Sequence, residues 1–296
     1  MVALVLLRVT IGWHFLFQGV AKLEDPNFSS AGFLGQAKGP LGDRFRELLD
    51  DWDGRKSLDP ENQKEFSARI DKYLEAFENH YKVSAEQLEA AKKAAAARKV
   101  QVKDYLAENE QDIKTYLHDL DRLDKAKQSP SRDTPFQQKR NWDAQTRLKG
   151  EADGWLAELD RIFTEFQSDL DSVLDDDQRV RGAPPKAETQ LDQIDKVVSY
   201  GVTAIGLCLM VGLFTRLASF AGVLFLLSIV LAQPDWPGLY PRPHPAVGHS
   251  LFVNKEFVEM MAMLVLATTH VGRWGGLDFF IHHLIVRPLF GRREAT

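Results

Sequence analysis

Residues 1–22 read MVALVLLRVTIGWHFLFQGVAK, and three later stretches share their apolar character: VVSYGVTAIGLCLMVGLF (197–214), LASFAGVLFLLSIVLAQ (217–233) and FVEMMAMLVLATTHVG (257–272). A helix needs about 17–25 such residues to cross a hydrocarbon layer about 30 Å thick. The chain is nevertheless mildly polar on average, because what lies between the first and second runs is heavily charged. Residues 24–196 carry 28 Lys/Arg against 37 Asp/Glu, and the remainder 9 against 5. Two solvents are averaged in one number. The expected fold is all-α: a membrane four-helix bundle with an inserted extramembrane, coiled-coil-like helical domain. Its expected parts are a first span at 1–23, the insert at 24–188, spans two to four at 189–276 with an outer loop at 234–256, and an amphipathic tail at 277–296.

Basic residues at the segment ends set the expected topology. Arg216 lies in the turn between spans two and three, and Arg273, Arg287, Arg292 and Arg293 follow span four. The positive-inside rule places them in the cytoplasm, so both termini are cytoplasmic and the insert and outer loop are extracytoplasmic. A cleaved signal peptide is the rival reading of residues 1–21, since Gly19 and Ala21 fit a small-x-small site. Against it, no basic region precedes the apolar run and Arg8 falls inside it. The run begins at Met1 itself, which leaves room for a start codon upstream.

The acidic insert argues against nucleic-acid binding, which needs a basic footprint. The single cysteine, Cys208, excludes an internal disulfide and a CxxC redox pair, so a cofactor, a quinone or a partner would have to carry electrons. Within the insert, Phe28–Asp50 reads as a short helical pair broken at Gly39-Pro40. A helix is expected from Pro60, with Phe66, Ile70, Tyr73, Leu74 and Phe77 on one stripe. Ser84 with Gln87 forms a capping box opening a helix that runs to Ser129-Pro130. A third spans about Asp133 to Leu174, and Gly182–Lys186 links back to the membrane. No phosphate loop, nucleophile motif or metal-ligand spacing stands out. His244 and His249 are five apart in the outer loop and give only a weak metal signal, so no metal is expected.

Four polar residues interrupt the first span. At 100° per residue Arg8, His14, Gln18 and Lys22 share about a third of the circumference, beside Gly12 and Gly19, which permit close helix approach. Ionisable residues inside a membrane are costly and mark function by default. The alternative is a structural polar seam, with Lys22 snorkelling to the headgroups. Glu256 and Glu259 in span four supply the opposite charge at the depth of Gln18 and Lys22. Tyr200 and Tyr240 could join them, while Arg8 falls nearer Thr268, Thr269 and His270.

RVTIGWHFLFQGVAKL (8–23), GLFTRLASFAGVL (212–224) and HVGRWGGLD (270–278) together resemble the DoxX family of small four-helix membrane proteins. The resemblance rests on Arg8, Gly12, Gly19, Lys22 and Arg216 and covers about a third of the chain; the large insert departs from the compact family form. It implies a bacterial inner-membrane protein linked to redox processes. Its DoxD-type relatives include the small subunit of thiosulfate:quinone oxidoreductase. On this reading a membrane quinone enters between spans one and four. Arg8, His14 and Glu259 are the candidate catalytic residues, and Gln18, Lys22, Tyr200 and Glu256 the candidate ligand contacts. Membrane lipid and a second oxidoreductase subunit are the expected partners. The competing expectation is a non-catalytic anchor whose insert recruits a periplasmic protein. A transporter ranks third, because four short spans leave little room for alternating access.

Overall fold

The computed structural model describes residues 1–59, 64–185, 188–242, 247–248 and 250–286, the side chains of 285 and 286 excepted. The described regular structure is helical: α1 (Val2–Glu24), α2 (Ala31–Gly35), α3 (Gly42–Arg46), α4 (Lys64–Tyr81), α5 (Ala85–Glu108), α6 (Glu110–Gln128), α7 (Pro135–Val173), α8 (Asp176–Arg179), α9 (Gln190–Val211), α10 (Thr215–Ala232), α11 (Lys255–Thr268), α12 (Gly272–Gly275), α13 (Asp278–Ile281) and a π-turn (His282–Val286). The only β pairing among these residues is an isolated bridge, Ser250 to Val253. The chain divides into two compact units, Met1–Asp50 with Thr189–Thr296, and Asp51–Glu188.

In the first unit, α1, α9 and α10 are each long and apolar enough to cross a membrane. α1 runs antiparallel to α9 at very short range. A Cβ added at Gly12 would meet Met210 and Leu209, one at Gly19 would meet Thr203, and one at Gly206 would meet the Phe15–Leu16 backbone. α10 follows through Gly212, whose φ of +68° closes α9 in the left-handed conformation, and packs antiparallel to α11. Ile11, Phe15, Val202, Leu209, Leu226, Met260, Met263 and Leu266 form the core. The opposite faces are just as apolar yet exposed, with Val197 at 72% and Leu217 at 68%, joined by Leu6, Trp13, Phe17, Phe220 and Val258. Water-soluble monomers rarely show apolar surface on this scale; lipid accepts it. This is a membrane protein.

The fourth apolar run is broken where a continuous span was expected. α11 has 14 residues, about 21 Å at 1.5 Å per residue, short of the hydrocarbon thickness. It stops at Thr269, in extended conformation, and the chain resumes as the short α12. Residues 24–50 also stay with this unit. The Ala232 carbonyl accepts from the backbone N–H groups of Lys38 and Gly39. Gln233 donates to the Phe33 carbonyl at 3.0 Å, Ser30 N–H to Asp195 at 2.6 Å, and Lys38 pairs with Asp235 at 2.5 Å. These bonds tie α2 and α3 to the ends of α9 and α10, so the unit boundary falls at Asp50 rather than at residue 24.

The second unit is an amphipathic bundle of α4 to α7 around Phe66, Ile70, Phe77, Val102, Leu106, Ile113, Tyr116, Ile162, Phe166 and Leu170. The expected capping box opens α5: Ser84 N–H donates to Gln87 at 2.9 Å and Gln87 N–H to the Ser84 hydroxyl at 3.2 Å. The helix expected to continue to Ser129 is interrupted at Asn109, whose side chain donates back to the Tyr105 carbonyl at 2.8 Å. Such local side-chain bonds compete with the helix ladder. The Pro60 start lies outside the described residues. Buried, with its hydroxyl donating to the Asp53 carbonyl, Tyr116 is pushed well above the usual tyrosine range by desolvation.

Arg55 bridges Asp53, Asp121 and Asp124; Arg98 joins Glu165 and Asp169; Arg147 joins Asp119 and Glu151. Hydrogen bonds from Arg55 and Arg147 hold Asp121 and Asp119 below the usual aspartate range. Depressed carboxylates contribute stability that is complete above their unfolded pKa and lost as pH falls through the folded one. A fragment of residues 51–188 is therefore expected to be soluble without detergent and to melt cooperatively at neutral pH. Its thermal midpoint should drop as pH falls below the ordinary aspartate range, measured by far-UV circular dichroism. Aggregation at neutral pH would show that this core is not self-sufficient.

Candidate functional site

His14 sits midway along α1, and Glu259 lies just inside α11, whose first turn is capped by Asn254 accepting from Phe257 N–H at 2.9 Å. His14 Nδ1 and Glu259 Oε1 are 2.8 Å apart. The carboxylate side chain is 13% exposed and the imidazole 38%, so the pair reaches the surface through the ring. An imidazole bonded to a carboxylate in an apolar wall can take up or release a proton toward a ligand on its open side. Glu259 thus pairs with His14, where Lys22 and Gln18 were the expected partners. Lys22 instead donates to its own helix at the Gln18 carbonyl, 3.4 Å away, and lies 5.5 Å from the Phe28 ring centroid. Gln18 and Tyr200 are exposed, and Glu256 is half-buried without a partner among the described residues.

Arg8 belongs to a different place. It is 2% exposed and one of its terminal nitrogens donates to the Gly275 carbonyl at 2.8 Å. The other lies against the Gly212 and Gly276 α-carbons. Its attractive charge is Asp278, whose two oxygens accept from the Phe214 and Thr215 amides at 2.7 and 2.9 Å. The strands of chain are laced by Leu277 N–H to the Val211 carbonyl at 3.1 Å and Asp278 N–H to the Gly212 carbonyl at 2.8 Å. A Cβ at Gly272 would strike the Asp278 and Thr215 side chains, so a larger residue there would displace the carboxylate. The three short motifs read from the sequence around Arg8, Gly212 and Gly272 therefore meet in one clasp, and Thr268, Thr269 and His270 are not its partners. Asp278 is the residue that sequence reasoning did not single out. Its signal was present as the last residue of HVGRWGGLD, without anything to say what it caps.

Tyr240 is half-buried. His244, His249, Arg287, Arg292 and Arg293 lie outside the described residues. Of the tail, Asp278–Val286 is helical, through α13 and the π-turn. No family model, curated protein or solved structure matches the chain.

Proposed function

We propose that the chain is a DoxX/DoxD-like subunit of a bacterial inner membrane, working with a membrane quinone at the His14–Glu259 pair. The observation that carries this reading is an imidazole–carboxylate pair on two apolar helices, with the imidazole side more exposed than the carboxylate. Reduction of a quinone to a quinol takes two electrons and two protons. Two one-proton transfers through His14, each followed by reprotonation from Glu259 and water, would supply the protons. The electrons would come from a thiosulfate-type donor through a second subunit, since Cys208 cannot form a redox pair alone. Arg8, bonded to the Gly275 carbonyl, would serve this site by holding α1 in place.

The proposed architecture has four crossings, the last made of α11 and α12 together, and residues 255–275 have the length for it. Both termini would be cytoplasmic, because Met1 in α1, the clasp, Arg216 and Arg273 all lie at one end of the first unit. The Asp51–Glu188 unit would be extracytoplasmic.

The test is titration of a ubiquinone or menaquinone analogue into the full chain in detergent. His14→Ala and Glu259→Gln are each expected to weaken binding at least about tenfold, the lower range for a polar contact left unpaired in an apolar slot. Unchanged affinity in both variants would remove the quinone from this site. A second reading has its own support: the Asp51–Glu188 unit carries a groove of about 420 Å³ between α5 and α7, lined by Val100, Tyr105, Ile162, Glu108 and Glu158 among others. A non-catalytic anchor would use such a face to recruit a periplasmic protein. Deletion of 51–188 would then lose a co-purifying partner while leaving quinone binding intact.

A further inference from the structure

A recess of about 240 Å³ lies beside the clasp, with Arg216, Arg273, His270 and His282 around it and Leu217 and Ile281 among its lining. Four nitrogen-rich side chains converge on one small volume. Arg216 is fixed there by its Nε–H, which donates to the Ala267 carbonyl at 3.0 Å. Its two terminal nitrogens, and the whole Arg273 guanidinium, have no partner among the described residues. The one carboxylate among the described lining residues, Asp278, is already engaged by the amides of Phe214 and Thr215 and attracts the charge of Arg8. It therefore does not neutralise the two exposed arginines.

What leaves the recess is apolar. Leu217, Phe220 and Leu224 are each exposed by half or more and recur at i, i+3 and i+7 along α10. They make a continuous apolar track from the cationic recess down the helix. A charged pocket continuous with an apolar track matches an amphiphile rather than a small anion.

We propose that this recess holds the phosphate headgroup of an anionic phospholipid, with an acyl chain laid along Leu217, Phe220 and Leu224. Arginine's planar fork suits a phosphodiester, and basic pockets at the cytoplasmic ends of membrane helices are suited to such headgroups. The assignment rests on the membrane reading of α10 and is independent of the quinone.

The test uses the full chain in a neutral detergent, with lipid adducts counted by native mass spectrometry. Phosphatidylglycerol and phosphatidylcholine of identical acyl chains are the probes. Phosphatidylglycerol is expected to bind at about tenfold lower concentration, and Arg273→Gln to cut that preference about fivefold, the worth of one arginine near an anionic surface. Arg273→Lys should keep only part of it, since it retains the charge and loses the planar fork. Inorganic phosphate at tens of millimolar should leave the adduct in place. Equal binding of the two lipids, an unchanged preference in Arg273→Gln, or full displacement by inorganic phosphate would each overturn the assignment. The lipid comparison and the phosphate competition need no variant, so a misfolded Arg273→Gln would not shield it. Retained quinone binding in Arg273→Gln would keep the two sites separate.

Discussion

Asp278→Ala is expected to abolish the detergent-stable fold of the first unit. The carboxylate contributes two things at once. It accepts the Phe214 and Thr215 amides at the start of α10, donors that have no intrahelical partner. Hydrogen bonds to a charged acceptor are worth about 1.5–3 kcal/mol each. It also provides an attractive charge, without a direct ion pair, for a guanidinium that is 2% exposed. Two such bonds are a large share of a total stability of about 5–15 kcal/mol. Asp278→Asn should fall between the two, since it keeps an acceptor and loses the charge. The double variant Arg8→Met with Asp278→Ala should recover part of the loss, because it no longer strands a buried cation. Thermal challenge followed by size exclusion is the measurement. A midpoint for Asp278→Ala close to that of the parent would mean that the clasp carries no energy.

The same carboxylate shows where sequence reasoning reached its limit. Periodicity and run length were enough for α1, α9, α10, α5 and α7, since long one-period patterns depend only on local spacing. Ser84 and Gln87 announced their own capping box for the same reason. The break at Thr269 was not legible, because the apolar run continues through it and only the refolding of Gly272–Gly275 against α1 explains it. Asn109 lay within a helical pattern, and its bond to Tyr105 decides by a competition that spacing does not encode.

At the candidate site, helix angle placed His14, Gln18 and Lys22 on one face, but angle alone could not choose which of them meets Glu259. The choice depends on the register between α1 and α11, which is a tertiary quantity. His14 takes Glu259, and Lys22 turns back to its own helix and to Phe28. Arg8 looked like one more member of the same polar face. Its depth relative to Gly212 and Gly276, set by the α1–α9 register, assigns it to the clasp instead.

That register can itself be tested. Gly206→Val is expected to part α1 from α9, while Gly201→Val on the same helix is expected to behave like the parent. A Cβ at Gly206 would overlap the Leu16 amide and the Phe15 carbonyl carbon, whereas at Gly201 nothing lies within 4 Å. The obstruction at Gly206 is backbone, so no rotamer change relieves it and the helices must move apart. Overpacking of this kind costs about 1–3 kcal/mol or more. In lipid, where helix association depends on close van der Waals packing rather than on water, there is little to compensate. The displacement would also carry His14 away from Glu259, because α1 packs on both α9 and α11. Gly206→Val should therefore lose monodispersity in detergent and, in whatever fraction survives, bind the quinone analogue more weakly. Gly201→Val controls for β-branching and helix propensity, since both substitutions are valine for glycine within α9. Equal behaviour of the two variants would contradict the glycine-lined contact on which the positions of both Arg8 and His14 depend.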